Sequence, residues 1–397
     1  MCLPARTLLV VLALAALWLP RAALAHGGDE GLTEVRPVRV GLLEGVTQAT
    51  CGIQGGAGLL IDLTTGNVLK ELNPGETLTT KALAVGVKAV DWAADGLRIE
   101  PASGEARVTL AGKPYRGAIE LHNWQGKLVI VNHCTLDEYL YGVVPTEMPS
   151  GWHPEALKAQ AVAARTYAVR SMGQYEHGFY DLRPTVRDQV YGGAAVERAS
   201  TNDAIDATSG LILTYAGEPI TAYFHSASGE ETVDGSAMRG AKTAHPYLRA
   251  VPSREGEVKR WVVVVTPQEL RGTLIAKGYT CGEISDVRVC PHDPGQIEVV
   301  SPTGTLELPR NYLRSFLGSD RFRSANFKVE LDPAPTGDND PLPSGTKIQF
   351  IGTGWGHGVG MSQWGAKGFA EEGWNYRQIL LHYYRGVTLS FWYDISD

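Results

Sequence analysis

A carboxylate set between two prolines is the first group in this sequence that could move a proton. Glu147 lies in the run Val143-Val144-Pro145-Thr146-Glu147-Met148-Pro149. The prolines restrict the backbone on both sides. The apolar neighbours withdraw water from the carboxyl, which favours its protonated form and suits it to general-acid chemistry. Taken alone, such a residue is more often a surface or capping glutamate. Arg165 is the second candidate. It falls in an alanine-rich helical stretch, where a guanidinium needs a partner. Direct contact with Glu147 would lower the carboxyl pKa and oppose an acid role, so Arg165 is assigned to ligand oxygens or to fixing the Glu147 loop. A purely structural role is the alternative.

Glycines at 352, 354, 356, 358 and 360 surround His357, with Gln363 on the turn that follows. This is not a nucleotide loop. G-x-G-x-x-G needs a third glycine where the chain has His357, Val359, Met361 or Gln363, and no Gly-Lys-Ser/Thr is present. The spacing allows close backbone approach around His357 instead. His225 and Ser228 resemble hydrolase residues in type only. Ser228 is not in G-x-S-x-G, and no aspartate is tied to His225 by spacing. Metal ligation by His133, Cys134, His225 and His357 is conceivable, but no H-E-x-x-H or C-x-x-C supports it. No cofactor is expected.

These groups need elements to position them. Residues 35–135 read as β-rich, with strands at 38–40, 59–63, 68–72, 107–110, 117–121 and 127–131 and a hairpin signal at Thr64-Thr65-Gly66-Asn67. A short helical turn is expected at 136–142. A helix follows from Pro154, a good first helical residue, to about Met172, and its alanines imply packing on several sides. Further helices are expected at 195–209, 266–278, 362–372 and 376–384, with a hairpin at 211–226 and a strand at 347–351. Residues 332–344, dense in Asp, Pro and Gly, read as a loop.

The chain has 397 residues and a net charge of −7. An acidic chain without a basic stripe argues against nucleic acid as a partner. Arg6, the apolar run Leu8–Leu19 and Ala23-Leu24-Ala25 form a secretory signal over 1–25, with an uncleaved anchor as the alternative. Of five cysteines, Cys2 leaves with that segment. Cys281 and Cys290 bracket a short β-like run and are the better disulfide candidate, with Cys51–Cys134 left by default.

Five blocks, in order, carry a resemblance. They are Cys134-Thr-Leu-Asp-Glu-Tyr-Leu-Tyr-Gly-Val-Val-Pro-Thr-Glu147-Met-Pro-Ser with Ala156-Leu-Lys-Ala-Gln-Ala-Val-Ala-Ala-Arg165-Thr-Tyr167-Ala, then Gln189-Val-Tyr191-Gly192-Gly193, Tyr223-Phe-His225-Ser226-Ala-Ser228-Gly229, and Gly352-Thr-Gly-Trp-Gly-His357-Gly-Val-Gly360-Met-Ser362-Gln363-Trp-Gly365-Ala. Together they resemble the SpoIID/LytB family, named for stage II sporulation protein D, over about residues 35–390. The resemblance implies an exported lytic transglycosylase, a lyase that cleaves MurNAc–GlcNAc bonds in peptide-stripped peptidoglycan and leaves 1,6-anhydroMurNAc ends. It places the catalytic glutamate at Glu147. Tyr167, Gln189, Tyr191, His225, Ser228, His357 and Gln363 become expected glycan contacts. Some relatives carry zinc near the active site. A wall-binding modifier of another autolysin, with a cell-wall amidase as partner, and a zinc-dependent amidase are the other readings.

The expected architecture is α+β. A β-rich N-terminal part (26–132) packs on a mixed catalytic core (133–331), to which 345–397 returns after the 332–344 loop. A substrate groove is expected between them.

Overall fold

The computed structural model describes residues 36–175, 178–238, 245–256, 260–334 and 340–392. The expected export segment lies outside the described residues, as do residues 335–339 of the expected loop. Among the described residues, no helix is long and apolar enough to cross a membrane. The fold is α+β, with antiparallel sheets and, among the described residues, seven α-helices.

Two six-stranded sheets fill residues 38–134. In one, Lys127–Cys134 lies between Val38–Val46 and Ala118–Trp124. The apolar run in Lys127–Cys134 is explained by cover on both faces, because alternate strand residues point opposite ways. Leu128 and Ile130 enter the main N-terminal core, while Val129 and Val131 pack with Tyr180. The second sheet includes Gln48–Gln54 and Thr77–Ala82, which pattern alone did not reveal. The first has two Gln and one each of Thr and Gly, the second three Thr, and each has a single large aliphatic residue. Their pairing rests on the backbone ladder and on a few inward residues such as Cys51, Ile53 and Leu78.

Helix α1 is Leu136–Glu147, opened by a capping box between Thr135 and Glu138. It runs past the expected end at Gly142 and through Pro145. A proline in the last turn forfeits only one hydrogen bond, and the end is still closed by the Met148 N–H donating to Val144 O. Helix α2, Pro154–Ser171, starts on its proline and is buried on most faces, which its small side chains permit. The helix expected at 195–209 is shorter. A single turn at Gly193–Val196 precedes α3, Ala199–Asp206. Between them Glu197 is extended, and its carboxylate takes two hydrogen bonds of 2.7 Å from Arg116. Helices α4 (Pro267–Ala276), α5 (Arg310–Leu317), α6 (Gln363–Glu371) and α7 (Tyr376–Tyr383) complete the set.

The hairpin expected over 211–226 is cut short. Leu211–Tyr215 pairs with Glu218–Pro219 on one side and Thr388–Phe391 on the other. Pro219 has no N–H with which to extend a ladder. Phe224–His225 instead runs parallel to Met361–Ser362. The expected Cys281–Cys290 disulfide is also corrected. All four cysteines in the described residues are free. The Cys281 thiol faces Gly282 O at 3.5 Å, and the Cys290 sulfur faces His292 at 3.3 Å.

Beside the small cluster around Tyr180, three large hydrophobic clusters organise the described residues. The first joins both N-terminal sheets to α1 and one face of α2. The second joins the other face of α2 to α6, α7 and residues 204–251. The third is built from residues 261–350, including Trp261, Phe322 and Phe350.

Arg165 sits where α1, α2 and the end of α3 meet, with no exposed surface. Its five N–H groups are all engaged. Nε (3.2 Å) and Nη2 (2.9 Å) donate to Asp137 Oδ1, Nη1 to Thr208 and Leu211 O, and Nη2 also to Ile205 O. Burial pulls its pKa down and Asp137 opposes this. No donor remains for a ligand, so the catalytic assignment of Arg165 gives way to a structural one. Asp137→Ala strands this buried cation, which costs about 3–5 kcal/mol. A urea unfolding midpoint close to that of the parent chain would refute this account of the joint.

Candidate active site

Glu147 is half-buried at the last residue of α1. The helix leads it from the N-terminal core to the junction with the second cluster, whose first member in sequence is the neighbouring Met148. One carboxylate oxygen accepts the Val190 N–H at 3.2 Å. Thr146 secures the same contact from below, its hydroxyl lying 2.7 Å from both Val143 O and Val190 O. The Glu147 pKa is raised, chiefly by burial, against the Val190 N–H and the Gln363 amide, which lower it. No charged side chain is among these influences.

Gln363 arrives from the far end of the sequence as the first residue of α6. Its Nε2 also donates to Gln160 Oε1 on α2 at 3.4 Å. The delivery depends on the glycine loop, which zips along residues 223–233. Trp355 bridges to Ala227, Val359 to Val233, and Met361–Ser362 to Phe224–His225. Gly354 (φ 81°) and Gly360 (φ 74°) are left-handed, and a Cβ there would lie 2.2 Å from Ala227 O and 2.0 Å from Tyr223 O. No other residue permits that approach.

His357 is fixed within the loop. Its Nδ1 accepts the Val359 N–H at 3.1 Å, so Nε2 carries the proton and donates to Phe224 O at 2.8 Å. Burial pulls its pKa down to about 4, which keeps it neutral near pH 7. His225 has the other tautomer. Its Nδ1–H donates to Val359 O at 3.2 Å, which leaves a lone pair on Nε2, buried and without a partner. Burial likewise holds His225 neutral. Gln160 Nε2 is also buried without a partner. An acceptor and a donor near Gln363 are therefore uncommitted, in a place where leaving them so is costly.

The other residues expected to touch a ligand divide sharply. Tyr167 is half-buried, its ring 6.2 Å from that of Tyr223. Gln189 is enclosed, accepting from the Tyr139 hydroxyl and donating to Ala164 O. Tyr191 is enclosed too, and its hydroxyl donates to Asn132 Oδ1 at 2.7 Å. The Asn132 amide donates in turn to Arg116 O and Ala118 O. Ser228 is fully buried. For Gln189, Tyr191 and Ser228 the expected ligand contact is replaced by packing, because their polar atoms are already spent. His133, Cys134, His225 and His357 do not assemble as a metal set. Both nitrogens of His357 serve the backbone, and Cys134 is enclosed in the N-terminal core.

Glu255 was missed. Its carboxylate accepts from Ser228 N (2.6 Å), Ser228 Oγ (2.7 Å), Gly229 N (2.8 Å), Ser253 Oγ (3.2 Å) and Ser362 Oγ. Ser362 Oγ also caps α6 by accepting the Gly365 N–H. One carboxylate thus ties the 225–229 segment to the start of the helix that carries Gln363. Nothing in the sequence around Glu255 signals this. Gln160 left a faint signal, as a lone amide in an alanine-rich helix. Glu255→Ala leaves several donors unanswered, at about 1–3 kcal/mol for each that becomes buried and unpaired. A clear fall in thermal unfolding temperature is expected, and an unchanged temperature would remove Glu255 from this role.

The family model described as "Stage II sporulation protein" (SpoIID) matches residues 124–215. The stage II sporulation protein D of Bacillus amyloliquefaciens is 32% identical over 281 residues, covering 66% of this chain and 75% of that protein. An uncharacterised protein of Brachyspira hyodysenteriae is 31% identical over 77% of this chain and 80% of its own length. The amidase enhancer of Bacillus subtilis is 29% identical over 75% of this chain, which spans 47% of it. Matched across most of its length at this identity, and carrying Glu147, Gln363 and the glycine loop in one site, the chain belongs to the SpoIID family.

Proposed function

We propose that this chain is an exported peptidoglycan lytic transglycosylase in which Glu147 carries the proton. The observation that supports this best is that no charged side chain among the described residues acts on the Glu147 carboxyl. Its pKa is raised, and burial, a backbone N–H and an amide are the influences on it. A hydrolase of the usual kind needs a second carboxylate to activate water or to attack. A lytic transglycosylase does not, because the sugar supplies the nucleophile. Protonated Glu147 gives its proton to the glycosidic oxygen between MurNAc and GlcNAc, and the bond from that oxygen to C1 breaks. The Glu147 carboxylate then takes the proton of the MurNAc 6-hydroxyl as that oxygen bonds to C1. The acid is regenerated, the ring closes as a 1,6-anhydro sugar, and no water is consumed.

The surroundings suit a sugar polymer. Trp364, next to Gln363, is 44% exposed, and its ring lies 4.8 Å from that of Trp152. This pair offers apolar faces to sugar rings, while the free His225 Nε2 and Gln160 Nε2 offer an acceptor and a donor for hydroxyl or acetamido groups. A second reading is favoured by the name of one relative, the amidase enhancer. In it the chain binds the wall and modifies an amidase, and Glu147 is dispensable.

Mass spectrometry of peptide-stripped glycan strands separates the two. Anhydromuramyl fragments are expected from the parent chain and none from Glu147→Gln. Equal fragments from both would remove Glu147 from the reaction, and binding without fragments from either would favour the modifier reading. A pH profile gives a further check. The acid must be protonated, so the alkaline limb of kcat/KM follows the Glu147 pKa. Gln363→Leu deletes a donor that stabilises the carboxylate, so the limb should move to higher pH. A shift to lower pH would contradict this assignment.

A further inference from the structure

A second group of reactive side chains lies in the third cluster, on the sheet formed by Asp286–Val289, Gln296–Ser301 and Gly304–Pro309. Glu298 and Glu307 stand directly opposite each other on neighbouring strands. Like charges in that position repel. Arg288, opposite Glu298 on its other side, donates to Glu298 Oε2 at 2.7 Å and leaves Oε1 unanswered by it. Among the described residues, no lysine or arginine pairs with Glu307. What gathers there instead is Cys290, nearly fully buried at the end of the first strand, and His292 two residues on.

We propose that Cys290, His292, Glu298 and Glu307 form a binding site for one divalent cation of the zinc class. One donor atom from each lies within 4.8 Å of all the others. The Cys290 sulfur is 3.4 Å from His292 Nε2, which is 3.6 Å from Glu307, and the other ring nitrogen, Nδ1, lies 4.0 Å from Glu298 Oε1. Zinc bonds of about 2.0–2.3 Å place the ligands of a tetrahedron roughly 3.3–3.7 Å apart, so small side-chain movements complete the shell. One sulfur, one imidazole nitrogen and two carboxylate oxygens suit zinc and exclude magnesium and calcium, which take oxygen alone. On binding, the Cys290 thiol releases its proton. The thiolate and two carboxylates are then largely offset by the cation and by Arg288, which also pairs with Asp286, and the opposed glutamates become ligands of one charge.

The site would clip the turn 290–295 to its sheet. That turn is already docked, because the Ser236 hydroxyl donates to Asp293, and Gly295 O accepts the Arg310 N–H. The neighbouring Asn311 donates to His357 O at 3.1 Å, so the clip lies two contacts from the glycine loop.

The test is titration of the metal-free full chain with Co²⁺ and Zn²⁺. One equivalent of Co²⁺ should give a thiolate charge-transfer band and tetrahedral ligand-field bands, displaced by Zn²⁺, and Zn²⁺ should raise the unfolding temperature. Cys290→Ser should abolish the thiolate band and Cys281→Ser should keep it. Glu307→Gln, at a half-exposed position with little bearing on folding, should weaken binding by more than the roughly 10–100-fold cost of losing an outer-sphere partner. No stoichiometric binding by the folded parent chain, or a thiolate band that survives Cys290→Ser, overturns the proposal.

Discussion

The site depends on one constraint of space. The backbone of residues 354–360 lies so close to residues 223–228 that a single Cβ at Gly354 or Gly360 would collide with a carbonyl oxygen. This approach carries the chain from the strand Lys347–Thr353 in the third cluster into α6. It brings Gln363 to Glu147 across more than two hundred residues of sequence. It also places the two histidines ring to ring, 5.3 Å apart, each bonded to the backbone around Val359. The glycines contribute no functional group; they remove the bulk that would hold the functional groups apart.

Around that approach the polar residues are heavily committed. Arg165 spends every donor at the joint of α1, α2 and α3. Gln189, Tyr191 and Ser228 are likewise absorbed by neighbours. The residues that resemble a catalytic set are largely a scaffold for one carboxyl and a few free polar atoms. This follows from the cost of burial, since a polar group without a partner is tolerated only where something else can supply one. Catalytic geometry of sub-ångström precision needs such a shell, and it leaves most of the sequence blocks looking inward.

How much of this was legible can be judged element by element. Helix α2 was, because Pro154 marks its start and alanines mark its enclosure. The strand Lys127–Cys134 was in part, because turn residues such as Gly126 mark its start, while its last three residues, past the expected end at Val131, are held by pairing with Val38–Val40. Gln48–Gln54 was not, because a strand with one large aliphatic residue is held by a ladder that leaves little trace in side-chain type. The reach of α1 to Glu147 was hidden by Pro145, which usually ends a helix but costs little in its last turn. Glu147 and Gln363 were legible through the resemblance of their blocks. Glu255 was not, since its value lies in five donors that come together only after folding.

Asn132 has a consequence for how the chain finds its register. It sits on a strand whose neighbours are aliphatic on both faces, so hydrophobicity alone discriminates poorly between pairings shifted by one residue. A slip of that kind would turn the Asn132 amide to the opposite face. The Arg116 and Ala118 carbonyls and the Tyr191 hydroxyl would then lose their partner at once. One amide thus works as an alignment pin, and it rejects a misthreaded sheet that greasy side chains would have accepted.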